Sequence, residues 1–415
     1  MGHGTWNTGG DWKGAVGLDK RQSPIIVRNN YMLWIALIFL CAYGAMMVFS
    51  ATAYQCGISE KFNYDSFHFV KRQVIFMLGG FVAILLLRFV DYRILKHFAV
   101  LLYISGIASI FLLKTPLGVS ANGATRWVNL PGIGQFQVSE WVKVCVIIFL
   151  AYLIDRNRKY LGSTKLTIYL WIAGAIPTAL LFELSNDLSS SVVVMGICFI
   201  MSFISTRTEK LHIIVFLAVV AVVAMYVWNI WKHMPTPEEL NDMPFRVGRI
   251  AAWLDPNRYA ASQGHQTLQG LYAIGRGGVF GKGLGGSIQK LGQIPEAEND
   301  MIFSVICEEL GIIGALVLIY LFGYLIYQIA RVMLSAPDLF GGMLSLGVFA
   351  HLTLQSIFNI CVNLAILPNT GIPLPFISYG GTSVFCLLAC EMAMVFSVER
   401  RIGQDPKAKV RKRFS

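Results

Sequence analysis

Charge is what this sequence has little of. Only 14% of its 415 residues are Asp, Glu, Lys or Arg, against about 25% in a soluble domain. That shortage excludes a disordered chain, which relies on charge to stay solvated. It also excludes a soluble fold, whose surface the same charge must cover. Metal and disulfide patterns are missing too. The 7 histidines include no pair four apart, and the 8 cysteines show no zinc or disulfide spacing. Most of the cysteines fall in apolar runs, and only Cys56 is expected in a polar loop. No signal-peptide core precedes the first apolar run, so Tyr31 onward reads as an uncleaved span.

What is present is apolar: 55% hydrophobic residues and a mean hydropathy of +0.60. These residues gather into ten runs near the length of a bilayer core, at about 31–52, 73–90, 97–114, 138–154, 165–182, 188–206, 211–231, 301–330, 341–367 and 381–399. An even number places both ends on one side. With the ends inside, 21 of the 34 Lys and Arg lie on the cytoplasmic side, and seven of the rest sit in one long outer loop. Short loops set orientation, so both termini are expected to be cytoplasmic. The net charge of +11 is then a topology signal, and no nucleic-acid partner is expected.

The expected fold is an all-α polytopic membrane protein. A cytoplasmic tail occupies 1–30, a ten-span membrane domain 31–399, and a basic cytoplasmic tail 400–415. One long extracytoplasmic loop, 232–300, precedes the eighth span. Loops of that length are functional or disordered, and this one is too apolar for disorder. Phe245 to Leu254 is expected to form a short amphipathic helix, stopped by Asp255-Pro256-Asn257. No internal repeat and no pair of broken helices of the transporter kind is visible, nor any chain of buried charges across the bundle.

The candidate chemistry clusters on the outer side. Glu140 and Lys143, three apart at the outer end of a span, share a helix face and can pair; a purely structural ion pair is the plainer reading. Arg126 lies close by in sequence. Pro295-Glu-Ala-Glu-Asn-Asp300 ends where the long loop returns to the membrane. Asp300 by itself reads as a helix cap, but a partly desolvated carboxylate there is also a candidate general base. Glu308 and Glu309, inside the following span, need partners. Arg246 and Arg249 share the polar face of the amphipathic helix. With Arg126, Lys143 and Lys282 they can line an anion site, and phosphate is the anion of a bilayer surface. Gly275 to Gly292 contains a formal G-x-G-x-x-G, without the strand that would make it a nucleotide site. A tight turn packed on the bundle accounts for it equally well.

Four stretches resemble the SEDS proteins (shape, elongation, division, sporulation). They are Asn122-Gly-Ala-Thr-Arg-Trp127 with Phe136-Gln-Val-Ser-Glu140-Trp-Val-Lys143; Phe245-Arg-Val-Gly-Arg249 through Leu254-Asp-Pro256; Gln269 through Gly278, Gly281–Gly285, Pro295–Ala297, Asp300 and Glu308-Glu-Leu-Gly311; and Leu367-Pro368 with Leu374-Pro-Phe-Ile-Ser-Tyr-Gly-Gly381. Gly283-Leu-Gly285 with Ser287-Ile-Gln-Lys290 is more similar to the division branch than to the elongation branch. Departures from the family pattern include Glu298-Asn299 in place of His-Thr, Val138 in place of Pro, and Asn186-Asp187-Leu188-Ser189 in place of Pro-Asp-x-Gly.

The resemblance implies an inverting peptidoglycan glycosyltransferase that polymerises lipid II at the outer face of the bacterial inner membrane, at the division septum. It implies a class B penicillin-binding transpeptidase and other divisome proteins as partners. By position, the family's essential aspartate falls on Asp300 and its Glu and Lys on Glu140 and Lys143. These residues assign no cofactor. A divalent cation, Mg or Mn, is a candidate companion of the diphosphate, with no metal ligands assigned. The rival readings are a lipid II flippase, an elongation-type polymerase and an inactive scaffold for the transpeptidase.

Overall fold

The computed structural model describes residues 31–402 apart from 122–123, 131–133, 244 and 293. The tail expected at 1–30, and the tail beyond 402, lie outside the described residues. The first helices are α1 (Tyr31–Ile58), α2 (His68–Leu87) and α3 (Leu95–Phe111). Next come α4 (Val138–Arg156), α5 (Thr164–Ser185), α6 (Leu188–Ser205) and α7 (Glu209–Lys232). The long loop contributes α8 (Phe245–Leu254) and α9 (His265–Gly277). The last are α10 (Ile302–Ser335), α11 (Leu339–Asn363) and α12 (Gly381–Ile402), whose middle turn, Leu387–Met392, is π-helical.

Among the described residues nine helices are long and apolar enough to cross a membrane. The tenth long helix is α4, whose 19 residues span about 28 Å. It carries Glu140, Lys143 and Asp155, too much charge for a lipid-facing span, and the packing explains how. Helices α3, α5, α6 and α11 surround it, and nearly all of its residues are buried. Rim helices show the opposite: α7 is apolar almost all round and buries little, as a lipid-facing span should.

Several helix boundaries differ from the sequence reading by a few residues, and three of the differences have a structural consequence. α1 runs on to Ile58, so Cys56 is helical and buried instead of lying in a polar loop. α11 stops at Asn363 instead of 367, where Ala365 takes a left-handed φ of 53° shortly before Pro368. α10 continues to Ser335 but is broken at Gly311, with φ 66° and ψ −167°. The glycine-rich loop repairs that break. Lys282 and Gly283 donate their amides to the Glu308 and Glu309 carbonyls at 2.9 Å, while Ile312 and Ile313 donate to Gly278 and Val279. A Cβ on Gly281 or Gly311 would strike the facing backbone. The glycines are thus used for close backbone approach, which re-satisfies a broken helix inside the bundle.

The expected helical membrane fold holds, with one addition: a small antiparallel sheet joins α3 to α4. β1 (Gly118–Ala121) pairs with β2 (Ala124–Leu130), and β2 pairs with β3 (Gly134–Gln137). Thr125, Trp127 and Val128 favour extended backbone. Trp127 lies opposite Gln137 and Val128 opposite Phe136, and β3 leads directly into α4. The sheet therefore fixes Arg126 beside the first turn of α4.

Candidate active site

Asp300 is held in place through its main chain. Its carbonyl accepts hydrogen bonds from Asn359 Nδ2 and Asn363 Nδ2, each at 2.8 Å. Four residues apart on α11, these asparagines share one face. Asn359 also donates to the Ile372 carbonyl at 2.7 Å, so α11 ties Asp300 to the segment before α12. The helix cap of α10 is Met301, with no side-chain cap bond. Asp300 is therefore not a cap, and its carboxylate is left for other work.

That carboxylate has one hydrogen bond among those resolved, from Gln266 Nε2 on α9 at 3.2 Å. Asn369 orients Gln266 in turn, at 2.7 Å. Gly371 lies between the carboxylate and Arg126: a Cβ there would stand 3.5 Å from Arg126 Nη1 and 3.6 Å from Asp300 Oδ2. Gly371 also has φ +69°, which a side chain resists. Arg249, from α8, donates to the Asn369 carbonyl at 3.2 Å. Burial and the neighbouring Glu296 push Asp300 up to about 7, against the pull of Arg249 and Arg126. Burial, together with the positive charge of Arg126, holds Arg249 below its usual range. A carboxyl that titrates near neutrality beside two guanidinium groups can take up a proton while an anion sits next to it.

A narrow polar crevice runs inward from here. Its lining includes Arg126, Glu140, Lys143, Asp187, Gln355 and Gly371. Lys143 Nζ donates to Glu140 Oε1 at 2.7 Å and to Gln355 Oε1 at 2.8 Å. Both charged side chains are buried. Arg126 Nε is 3.7 Å from Asp187 Oδ1. Asp187 caps α6 by accepting from the Ser190 amide and hydroxyl. Two buried atoms of the crevice have no protein hydrogen-bond partner: Glu140 Oε2 and Arg126 Nε. An acceptor and a donor left open in one crevice are what a polar ligand would complete.

The other expected site residues lie elsewhere. Arg246 stacks on the Phe182 ring, with its guanidinium carbon 3.7 Å from the centroid. Lys282 is exposed in the glycine-rich loop, beside the break in α10 and about 13 Å along that helix from its start. Glu308 and Glu309 are fully engaged. Glu308 accepts from Ser287 Oγ and from the Ile288 and Gln289 amides. Glu309 accepts from Ser50 Oγ at 2.6 Å, from Lys290 Nζ at 2.5 Å and from the Gly285 amide at 3.1 Å.

Sequence reasoning missed Asn359, Asn363, Gln266 and the row to which the asparagines belong. His351, Gln355, Asn359 and Asn363 recur every four residues along one face of α11. With Lys143, Glu140 and Glu391 they make a buried polar row that enters the bundle without crossing it. It runs from the Asp300 end to the middle of α11. Between Leu339 and Ala350 the same helix carries only Ser345 as a polar side chain. Among the described residues no three His, Cys, Asp or Glu side chains gather as a metal site. Two guanidinium groups facing one carboxylate suit an anion better than a protein-held cation.

A family model described as a cell cycle protein, FtsW/RodA/SpoVE, matches residues 30–403. The chain belongs to that family. Similar proteins include a probable peptidoglycan glycosyltransferase FtsW from Geobacter sp. (strain M18), 34% identical over 374 residues, covering 89% of this chain and 96% of the relative. Stage V sporulation protein E of Bacillus subtilis is 32% identical over 372 residues, covering 89% and 95%. Among solved structures, a chain of a peptidoglycan synthase complex superposes with a TM-score of 0.71 at 24% identity, covering 91% of this chain and 99% of that one. RodA of Thermus thermophilus gives 0.61 at 23%, covering 91% and 98%. The family's multi-pass membrane fold therefore extends over nearly the whole described chain.

Proposed function

We propose that this FtsW/RodA/SpoVE-family protein is a peptidoglycan glycosyltransferase that polymerises lipid II at the outer face of the inner membrane. The observation that carries the reading is Asp300: anchored through its carbonyl, facing Arg126 across a glycine and lying in the field of Arg249, with burial pushing its carboxyl up to about 7. The acceptor sugar's 4-hydroxyl gives its proton to Asp300. Its oxygen bonds to the donor's anomeric carbon as the bond from that carbon to the diphosphate oxygen breaks. Undecaprenyl diphosphate leaves with the electron pair, and this single displacement inverts α to β. Arg126, Arg249 and Lys143 stabilise the leaving charge. A divalent cation taking part would arrive with the diphosphate, since these residues do not build a cage for one. Arg246 and Lys282 are assigned to the rim of the outer loop.

Both termini are taken as cytoplasmic, which puts the loop from 232 to 300 and the sheet outside. Relatives named FtsW support the division branch, and with it a class B transpeptidase partner and a septal location. The mid-span polar row favours examining the flippase reading as well. Because that row ends at His351 in the middle of α11, it offers no path to the inner leaflet. Purified protein in liposomes, given lipid II alone and with a class B transpeptidase, is expected to yield β-linked glycan strands. Lipid II translocation without polymer would replace the polymerase by a flippase.

A further inference from the structure

The row on α11 contains a pair that the reaction above does not use. His351 lies against Glu391, with Nδ1 at 2.7 Å and 2.9 Å from its two carboxylate oxygens. Both are buried, in the middle of α11 and in the π-helical turn of α12. A π-turn inside a helix often marks a functional position.

The hydrogen-bond donors can be assigned in sequence. Gln355 Nε2 donates to the Pro373 carbonyl at 3.0 Å. A carbonyl only accepts, so the amide orientation is fixed. Gln355 Oε1 then receives Lys143 Nζ at 2.8 Å and faces His351 Nε2 at 2.6 Å. An amide oxygen also only accepts, so Nε2 carries a proton. One further proton lies between Nδ1 and the Glu391 carboxyl. Whichever partner holds it, Glu391 occupies Nδ1 and secures the proton on Nε2, since the bond at one ring nitrogen sets the state of the other.

We infer that His351 and Glu391 are positioning residues for Lys143, acting through the Gln355 amide. Without Glu391 nothing holds Nδ1, and the ring is free to turn about its side-chain bonds. Nε2 then no longer fixes the Gln355 oxygen, and the amide turns or withdraws. Lys143 loses one of its two acceptors and swings on Glu140 alone. This ammonium borders the crevice, and its direction there depends on both acceptors. The inference rests on the reading of Lys143 as a ligand of the substrate diphosphate.

The test is a double-mutant cycle on binding of undecaprenyl diphosphate, in detergent micelles, by the full-length protein. Lys143→Ala is expected to weaken binding roughly 10- to 100-fold, the loss of one charge-assisted contact. Glu391→Leu should reproduce most of that loss, and the double variant should bind no more weakly than Lys143→Ala. Glu391→Gln keeps an N–H donor for Nδ1 and should bind as the unmodified protein does. Should Glu391→Leu fail to fold, Gln355→Met takes its place in the cycle with the same expectation. Additive losses, unimpaired binding by the folded variant that removes the link, or a Glu391→Gln loss equal to that of Glu391→Leu would overturn the inference. Normal binding by Lys143→Ala would instead remove the diphosphate reading of Lys143, and the inference with it.

Discussion

Two groups of carboxylates border α10, and they are built in opposite ways. Glu308 and Glu309 are saturated. Ser287, Ser50, Lys290 and three backbone amides fill their acceptor positions, and the glycine-rich loop exists in its present form to deliver them. Asp300 lies only a few residues earlier and has one resolved side-chain hydrogen bond. Its main chain is fixed as firmly as theirs, yet its carboxylate is aimed at cations across a crevice that keeps its own open donor and acceptor. Saturation marks a group that holds the fold together. Rigid placement with bonding capacity left over marks a group that meets a ligand.

The largest separation of the two groups is expected from Asp300→Asn. Losing a general base costs about 10²–10⁴-fold in polymerisation, with no loss of melting temperature. The stability sign follows from the raised value. Asp300 binds its proton up to about pH 7 in the folded protein, but only up to about pH 4 unfolded. Stability from this group is therefore lost as pH rises from the lower value to the higher, and the amide removes that loss. Polymerisation by the unmodified protein should rise through about pH 7 as the base ionises, which a pH–rate profile would read out.

Lys290→Met should do the reverse. It strands Glu309 as a buried unpaired charge, at a cost of about 3–5 kcal/mol. The melting temperature should fall, while the protein that remains folded polymerises at close to the normal rate per molecule. Gly371→Ala comes next. It imposes about 1–2 kcal/mol of backbone strain at the positive φ and sets a methyl group against both Arg126 and Asp300; an apparent lipid II requirement raised about tenfold, equivalent to roughly 1.4 kcal/mol, is the expected reading. Arg246→Ala is the smallest. Its guanidinium stacks on Phe182, so it should cost about 1 kcal/mol of stability and change the lipid II requirement less than Arg249→Ala does.

How much of this was legible in the sequence differs between the two groups. The amphipathic helix was read with the bounds it has, Phe245–Leu254, because apolar spacing and the Asp-Pro stop are local signals. Glu140 and Lys143 were legible as a pair because three residues on a helix determine a shared face. Asn359 and Asn363 were not read, since their partner is a backbone carbonyl far away in sequence; Gln266 was not read because its partners, the Asp300 carboxylate and Asn369, are distant too. The interval of four from His351 to Asn363 was passed over as well, because a polar stripe in an apolar run does not say locally what it touches. The sheet escaped because strands of four to seven residues give weak periodicity beside spans of twenty. The break at Gly311 escaped because only the returning loop makes it tolerable.

The most direct measurement is a paired one, lipid II polymerisation and thermal unfolding on the same preparations of Asp300→Asn and Lys290→Met protein. The account predicts that the two variants separate: Asp300→Asn keeps its melting temperature and polymerises about 10²–10⁴-fold more slowly, while Lys290→Met melts early and polymerises in proportion to what stays folded. Normal glycan synthesis by folded Asp300→Asn protein would contradict it.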